Sequence, residues 1–201
     1  MTSPSFELFL RLSTALLLGT ALSISASYRR RADRRGGHLR SEGARLLVGI
    51  RLLGLVFLLP MLLWFFWPDA VRWAQWAVPP PLRIAGLVLQ LVALPALVWV
   101  LHSIGDNISP TQATREGHEL VTAGPYRFIR HPLYTFGTVF FVGMALASAL
   151  WTWALGLLPL WAMLLWRTPR EEANLRAQFG PAYSDYQART GRYLPRLRPA
   201  R

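Results

Sequence analysis

Apolar residues in this chain gather into blocks separated by polar stretches. The blocks fall at about 6–26, 46–67, 82–101 and 133–166. Runs of roughly 20 apolar residues match the length of a helix that crosses a bilayer. The last block carries no charge over its 34 residues, Leu133 to Trp166. A single helix of that length would measure ~51 Å, against a hydrocarbon core of ~30 Å. A tight hairpin of two short helices, turning near Ser148–Thr152, is therefore expected. The pattern predicts an all-α protein: a polytopic membrane helix bundle of about five transmembrane helices with a cytoplasmic C-terminal helix. Residues 1–201 read as one integral-membrane domain, with three spans in 1–101.

Charge fixes the expected orientation. The net charge is +12, and all 22 basic residues are arginine. They cluster between the first two blocks (Arg29 to Arg45) and after Trp166, whereas the 68–81 loop holds only Arg72. The positive-inside rule then places the N-terminus outside and the C-terminus in the cytoplasm of a bacterial inner membrane or its equivalent. An odd number of spans is required, and five satisfies it. The basic excess thus reads as a topology signal with some attraction for membrane lipids, not as a nucleic-acid surface. There is no cysteine, which excludes disulfides, a thiolate nucleophile and a cysteine-based metal site. The Ser-Ile-Ser-Ala-Ser segment at 23–27 looks cleavable, but Glu7 in the n-region and the arginines beyond argue against a signal peptide.

Several polar features stand at the block edges. Arg51 lies just inside the second block, either as an interfacial anchor that snorkels or as an anion ligand facing the bundle. Trp64, Trp67, Trp73 and Trp76 suit an aromatic belt at the outer end. The loop 102–132 is long and polar, with both ends on the cytoplasmic side, and loops of that length are more often functional than mere connectors. After Trp166, Thr168 as N-cap, Pro169 at the first position and Glu171 three residues on form a capping-box signature. A separate tail helix is expected to start there and to stop at Gly180-Pro181, with a second helical piece carrying Tyr183 and Tyr186.

The richest stretch is Gly124-Pro-Tyr-Arg-Phe-Ile-Arg-His-Pro-Leu-Tyr134, where ionisable groups meet the start of the longest apolar run. Pro132 can open a helix, placing Arg130 and His131 beside its unsatisfied N–H groups, where anions bind. Tyr126 and Tyr134 offer aromatic faces with polar tips. A tail helix folded back under the bundle would add Glu172. Taken singly these are ordinary features: interfacial arginines, belt tyrosines, a histidine before a helix-starting proline, and in Glu171 a capping residue. Their convergence on one face makes them candidates for chemistry. No recognised ligand spacing connects His118, Glu119 and His131, so no metal site is expected.

The ordered pair of motifs His118-Glu-Leu-Val-Thr-Ala-Gly-Pro-Tyr-Arg-Phe-Ile-Arg-His-Pro-Leu-Tyr134 and Glu171-Glu-Ala-Asn-Leu-Arg-Ala-Gln-Phe-Gly-Pro-Ala-Tyr-Ser-Asp-Tyr186 resembles the isoprenylcysteine carboxyl methyltransferase family. That family belongs with the phospholipid methyltransferases. The resemblance covers about 102–195, including the closing Arg192-Tyr-Leu-Pro195, and marks this part as the methyltransferase core. It implies an S-adenosyl-L-methionine-dependent methyltransferase whose cofactor binds on the cytoplasmic side while a lipophilic small molecule or lipidated substrate arrives from the bilayer. Carried over residue by residue, it assigns His118, Leu120, Gly124 and Tyr126 to the cofactor, together with His131, Pro132, Tyr134 and Glu172. Arg167, Arg170 and Arg130 would hold a substrate anion. Spacing to Leu175 and Phe179-Gly180 favours Glu172 over Glu171.

A carboxylate acceptor is already nucleophilic and needs only orientation by arginine, whereas an amine or thiol would need a base such as Glu172 or His131. O-methylation of a carboxylate is the expected reaction, with phospholipid N-methylation and thiol S-methylation as alternatives on the same fold. A small membrane transporter or assembly protein is the non-enzymatic alternative. It would place polar residues along a path through the membrane, and the later spans are almost wholly apolar.

Overall fold

The computed structural model describes residues 3–34, 58–105 and 120–196, and all of its long elements are helices. Helix α1 spans Pro4–Arg34 and is capped by Ser3, whose hydroxyl accepts the Phe6 N–H at 3.2 Å. Helix α2 is described over 58–66. After the 3₁₀ turn Pro68–Ala74 come α3 (Pro80–Ile104), a second 3₁₀ turn (Gly124–Arg127), α4 (Pro132–Ser148), α5 (Trp151–Phe179) and α6 (Pro181–Arg189). The segments Pro4–Arg31 and Pro80–Ile104 are long and apolar enough to cross a membrane, and Pro132–Ser148 is a shorter apolar helix. Arg51 and His118 lie outside the described residues.

The expected hairpin is present, and only Ala149 and Leu150 separate its arms. Ala149 takes the left-handed conformation (φ 54°) that ends α4. This turn is stitched to the 68–79 loop by the Trp76 N–H donating to Ala149 O at 3.0 Å and by the Trp151 indole N–H donating to Trp73 O at 3.3 Å. Trp67, Trp73 and Trp76 are exposed at that end. Trp64 departs from the expected grouping. It is fully buried in the core beside Leu10, Met61 and Met144, because its face of α2 packs inward.

The tail departs from expectation. Helix α5 runs unbroken from Trp151 to Phe179 through Pro159 and Pro169, so Thr168 caps nothing. Its hydroxyl instead donates back to Leu164 O at 2.8 Å, one turn earlier, and the residue is fully buried. The second arm of the hairpin and the expected tail helix are thus one rod of 29 residues, ~44 Å long. The expected stop is correct: Gly180 adopts φ 53°, which glycine reaches without strain, and Pro181 opens α6. What folds back is α6 with the segment after it.

Among the described residues, α3 and α4 form the most extensive helix pair. A Cβ on Gly86 would sit 2.6 Å from Gly143 O and 2.7 Å from the Ala147 N, and one on Gly143 would sit 2.6 Å from Gly86 O. The obstacles are backbone atoms, so the helices would have to separate. Gly86→Ala should lower stability by about 1–3 kcal/mol, as overpacking does, read as an earlier thermal unfolding midpoint in detergent. An unshifted midpoint would contradict this contact. At the same end of the bundle, buried Arg83 clamps three helices. Its guanidinium pairs with Glu7 of α1, with Nη2 to Oε2 at 2.9 Å, and its Nε donates to Ala147 O of α4 at 3.0 Å. The hydropathy pattern does not suggest this pair, because its members are 76 positions apart.

Candidate active site

Hairpin geometry brings the site together. Helix α4 rises for 17 residues from Pro132, so α5, starting after two intervening residues and running back, regains the level of His131 near Arg167–Glu172. The two motifs of the sequence thus meet at the end of the bundle opposite the 68–79 loop.

His131 precedes α4 and is buried with Pro132. Its imidazole stacks on Tyr134, with ring centroids 5.4 Å apart and planes 5° from parallel. Its Nε2 lies 3.3 Å from Glu172 Oε1 and its Nδ1 lies 4.0 Å from Glu171 Oε2. An ionised carboxylate only accepts, so Nε2 carries the proton toward Glu172. The Tyr134 hydroxyl donates to Glu171 Oε2 at 2.9 Å. Leu120 is half-buried on the approach to the 3₁₀ turn. Gly124 has φ 61°, and a Cβ there would collide with the Ser103 hydroxyl at the end of α3.

The two glutamates have opposite surroundings. Glu172 is 2% exposed and acts as a hub. Arg130 Nε donates to its Oε1 at 3.0 Å, Arg192 donates to both oxygens (3.2 and 2.7 Å), and Gln187 Nε2 donates to Oε2 at 3.1 Å. Burial alone would raise this carboxyl, but hydrogen bonds from His131, Arg192 and Arg130 outweigh it and hold the group well below the usual carboxylate range. Glu171 is 32% exposed at its side chain and leans toward Tyr134. Its role is therefore not capping.

The chain end closes the arrangement. Arg130 N–H donates to Gly191 O at 2.8 Å, His131 N–H to Arg192 O at 3.0 Å, and Gly191 N–H to Phe128 O at 3.3 Å. Arg130 Nη1 also bonds Gln187 O at 3.1 Å and Thr190 O. Arg130 is thereby held within the protein. Half-buried Arg167 lies one turn before Glu171 on the same face of α5. Arg170 is exposed, with its guanidinium 3.7 Å above the Trp166 ring. Tyr126, Tyr183 and Tyr186 are buried, and burial pushes all three phenols up, so they remain protonated. The Tyr186 hydroxyl donates to Tyr126 O at 2.7 Å, while that of Tyr183 has no hydrogen-bond partner among the described residues. Gln187, Thr190 and Tyr193 were not anticipated in the site. The one sequence signal for this region is the closing Arg192-Tyr-Leu-Pro195.

The fold has a solved counterpart. The eukaryotic intramembrane Ras methyltransferase, an isoprenylcysteine carboxyl methyltransferase, superposes with a TM-score of 0.59 at 18% identity, covering 94% of this chain and 71% of that one. The family model for phospholipid methyltransferases matches residues 82–182, and the chain belongs to that family. The expected kinship with isoprenylcysteine methyltransferases is borne out. A protein-S-isoprenylcysteine O-methyltransferase of Dictyostelium discoideum is 27% identical over 130 residues, 62% of this chain and 51% of the relative. A nickel-cobalt-cadmium resistance protein of Alcaligenes xylosoxydans xylosoxydans is 37% identical over 83 residues, 41% of this chain and 39% of the relative. A cobalt-zinc-cadmium resistance protein of Cupriavidus metallidurans is 30% identical over 128 residues, 63% and 55% of the two lengths. The matches thus span between about two fifths and just over half of these curated relatives.

Proposed function

We propose that this protein is an S-adenosyl-L-methionine-dependent membrane methyltransferase that esterifies the carboxylate of a lipophilic, isoprenylcysteine-like acceptor. On this reading five spans cross the membrane, and the site opens on the cytoplasmic side, where the arginines gather. The observation that carries it is the stacked His131–Tyr134 pair set against the partly exposed Glu171.

These groups suit the cofactor. A stacked aromatic pair accepts a planar base, a carboxylate with spare acceptor capacity meets a ribose hydroxyl or a cation, and the Tyr183 hydroxyl, without a hydrogen-bond partner among the described residues, adds a buried polar atom. Glu171, His131, Tyr134 and the turn from Leu120 to Tyr126 would hold it, and the family resemblance assigns His118 to it as well. The cofactor supplies an electrophilic methyl group. The protein's task is alignment, because displacement at a methyl carbon is in line and a carboxylate needs no base. Arg167 and Arg170 are the side chains proposed to orient that carboxylate, since Arg130 is held by Glu172 and the tail carbonyls. Glu172, saturated by protein donors, serves the site by fixing its walls.

Membranes containing the protein, supplied with methyl-labelled S-adenosylmethionine and an S-farnesylcysteine, should yield label that mild base releases as methanol, as an ester does. Label stable to base would point instead to an amine or thiol acceptor. No transfer by folded protein to any of the three acceptor types would overturn the reading.

A further inference from the structure

We propose that Tyr193 is a specificity-determining residue: its ring is the wall between the donor site and the lipid-facing side of α5, along which the acceptor's hydrocarbon chain reaches the polar centre. The inference rests on the reading of a lipophilic acceptor given above.

On α5, Leu158, Trp161, Leu165, Thr168 and Glu172 follow one another at spacings of three and four, so they form one stripe. Its character changes along its length. Leu158 is 66% exposed, Leu165 53% and Trp161 37%, whereas Thr168 is fully buried and Glu172 nearly so. Lipid-facing surface therefore passes directly into the polar hub, and Tyr193 sits at the change. Its ring packs edge-on against Trp161 (centroids 6.1 Å apart) and lies 6.0 Å from the His131 ring. One aromatic side chain thus touches both the apolar stripe and the proposed donor site.

The ring is held from two sides. Its hydroxyl donates to Thr168 Oγ1 at 2.7 Å, and its backbone carbonyl accepts the Thr135 hydroxyl at 2.7 Å. The preceding residues, Gly191 and Arg192, pair with the backbone of Phe128, Arg130 and His131. A side chain that served only to tether the tail would need the pinned hydroxyl but no ring against Trp161. A rigid aromatic wall there favours an acceptor whose chain fills the space along Leu158, Trp161 and Leu165 while its head reaches Glu171.

The test compares Tyr193→Ala and Tyr193→Phe with wild type in lipid vesicles, using geranyl, farnesyl and geranylgeranyl cysteines as acceptors and calorimetry for S-adenosylmethionine. Tyr193→Ala should raise the KM for the preferred chain about tenfold and flatten the preference among chains, with cofactor affinity within about twofold of wild type. Tyr193→Phe keeps the ring and should retain the preference with a KM about two- to threefold higher, the size of one lost hydrogen bond. A farnesylcysteine carrying a photoreactive diazirine on its chain should label the peptides holding Trp161 or Tyr193. Unchanged KM and chain preference in Tyr193→Ala, or acceptor KM and cofactor affinity moving together, would overturn the wall in favour of a purely structural latch. Labelling at Trp161 or Tyr193 without methyl transfer would keep the wall and sink the proposed reaction. Transfer with labelling elsewhere would do the reverse.

Discussion

Glu171→Gln should weaken S-adenosylmethionine binding about a hundredfold while the protein stays folded. The magnitude is that of a lost hydrogen bond to a charged group, about 1.5–3 kcal/mol. Glu171 is the suitable carboxylate because its side chain is one-third exposed and its described partners are the Tyr134 hydroxyl at 2.9 Å and, more distantly, His131 Nδ1 at 4.0 Å. Glutamine keeps the length and one acceptor oxygen but removes the charge. It also leaves the Tyr134 hydroxyl with a neutral acceptor, so the stacked pair loses an anchor without losing its packing. Tyr134 and His131, the described partners of Glu171, lie outside the hydrophobic core, and the thermal midpoint should move little. Calorimetric titration of the purified variant is the check. Wild-type affinity in Glu171→Gln would return the cofactor carboxylate to Glu172 and remove the basis for distinguishing the two.

That distinction marks where sequence reasoning stopped. The hairpin was legible because an uncharged run of 34 residues is too long for one span and has polar positions at Ser148 and Thr152 where it can turn. The helix start at Pro132 and the stop at Gly180-Pro181 were legible because proline and glycine restrict the backbone locally. The false helix start at Thr168 came from the same kind of local rule. Thr-Pro-Arg-Glu imitates a capping box, but the burial of Thr168 and the preceding turns of α5 hold the chain helical. Adjacent residues on a helix point about 100° apart, so which glutamate faces the site depends on what packs around the helix. On the reading proposed above, the chain end decides it. Residues 190–193 have no hydrophobic period, yet they supply the donors and carbonyls that turn Glu172 toward the tail. The Arg83–Glu7 pair was hidden for a related reason, since hydropathy windows average such residues away.

Glu172→Gln should be the most destabilising change in the site, by about 3 kcal/mol at neutral pH, since removing one partner of a buried charge cluster leaves the others uncompensated. The Arg130 side chain is only 7% exposed and would keep its positive charge without a counter-ion. Arg192, at 45%, can turn to solvent and should release the segment it carries. The tail from Gly180 onward should then become sensitive to trypsin at exposed Arg189 while the α3–α4 core persists. The pH dependence has a definite sign. The folded-state carboxyl is held below its ordinary value by His131, Arg192 and Arg130 against the opposing effect of burial. Its contribution is therefore complete above the unfolded-state pKa of about 4.3 and is lost as pH falls from there toward the folded-state value. The gap between wild type and variant should be constant above about pH 5 and narrow progressively as pH falls below about 4, measured as chemical unfolding midpoints in detergent at each pH. A gap independent of pH would mean that shape, not charge, makes Glu172 the latch. No gap at all would mean that the tail is held by its backbone pairing with Phe128, Arg130 and His131 alone.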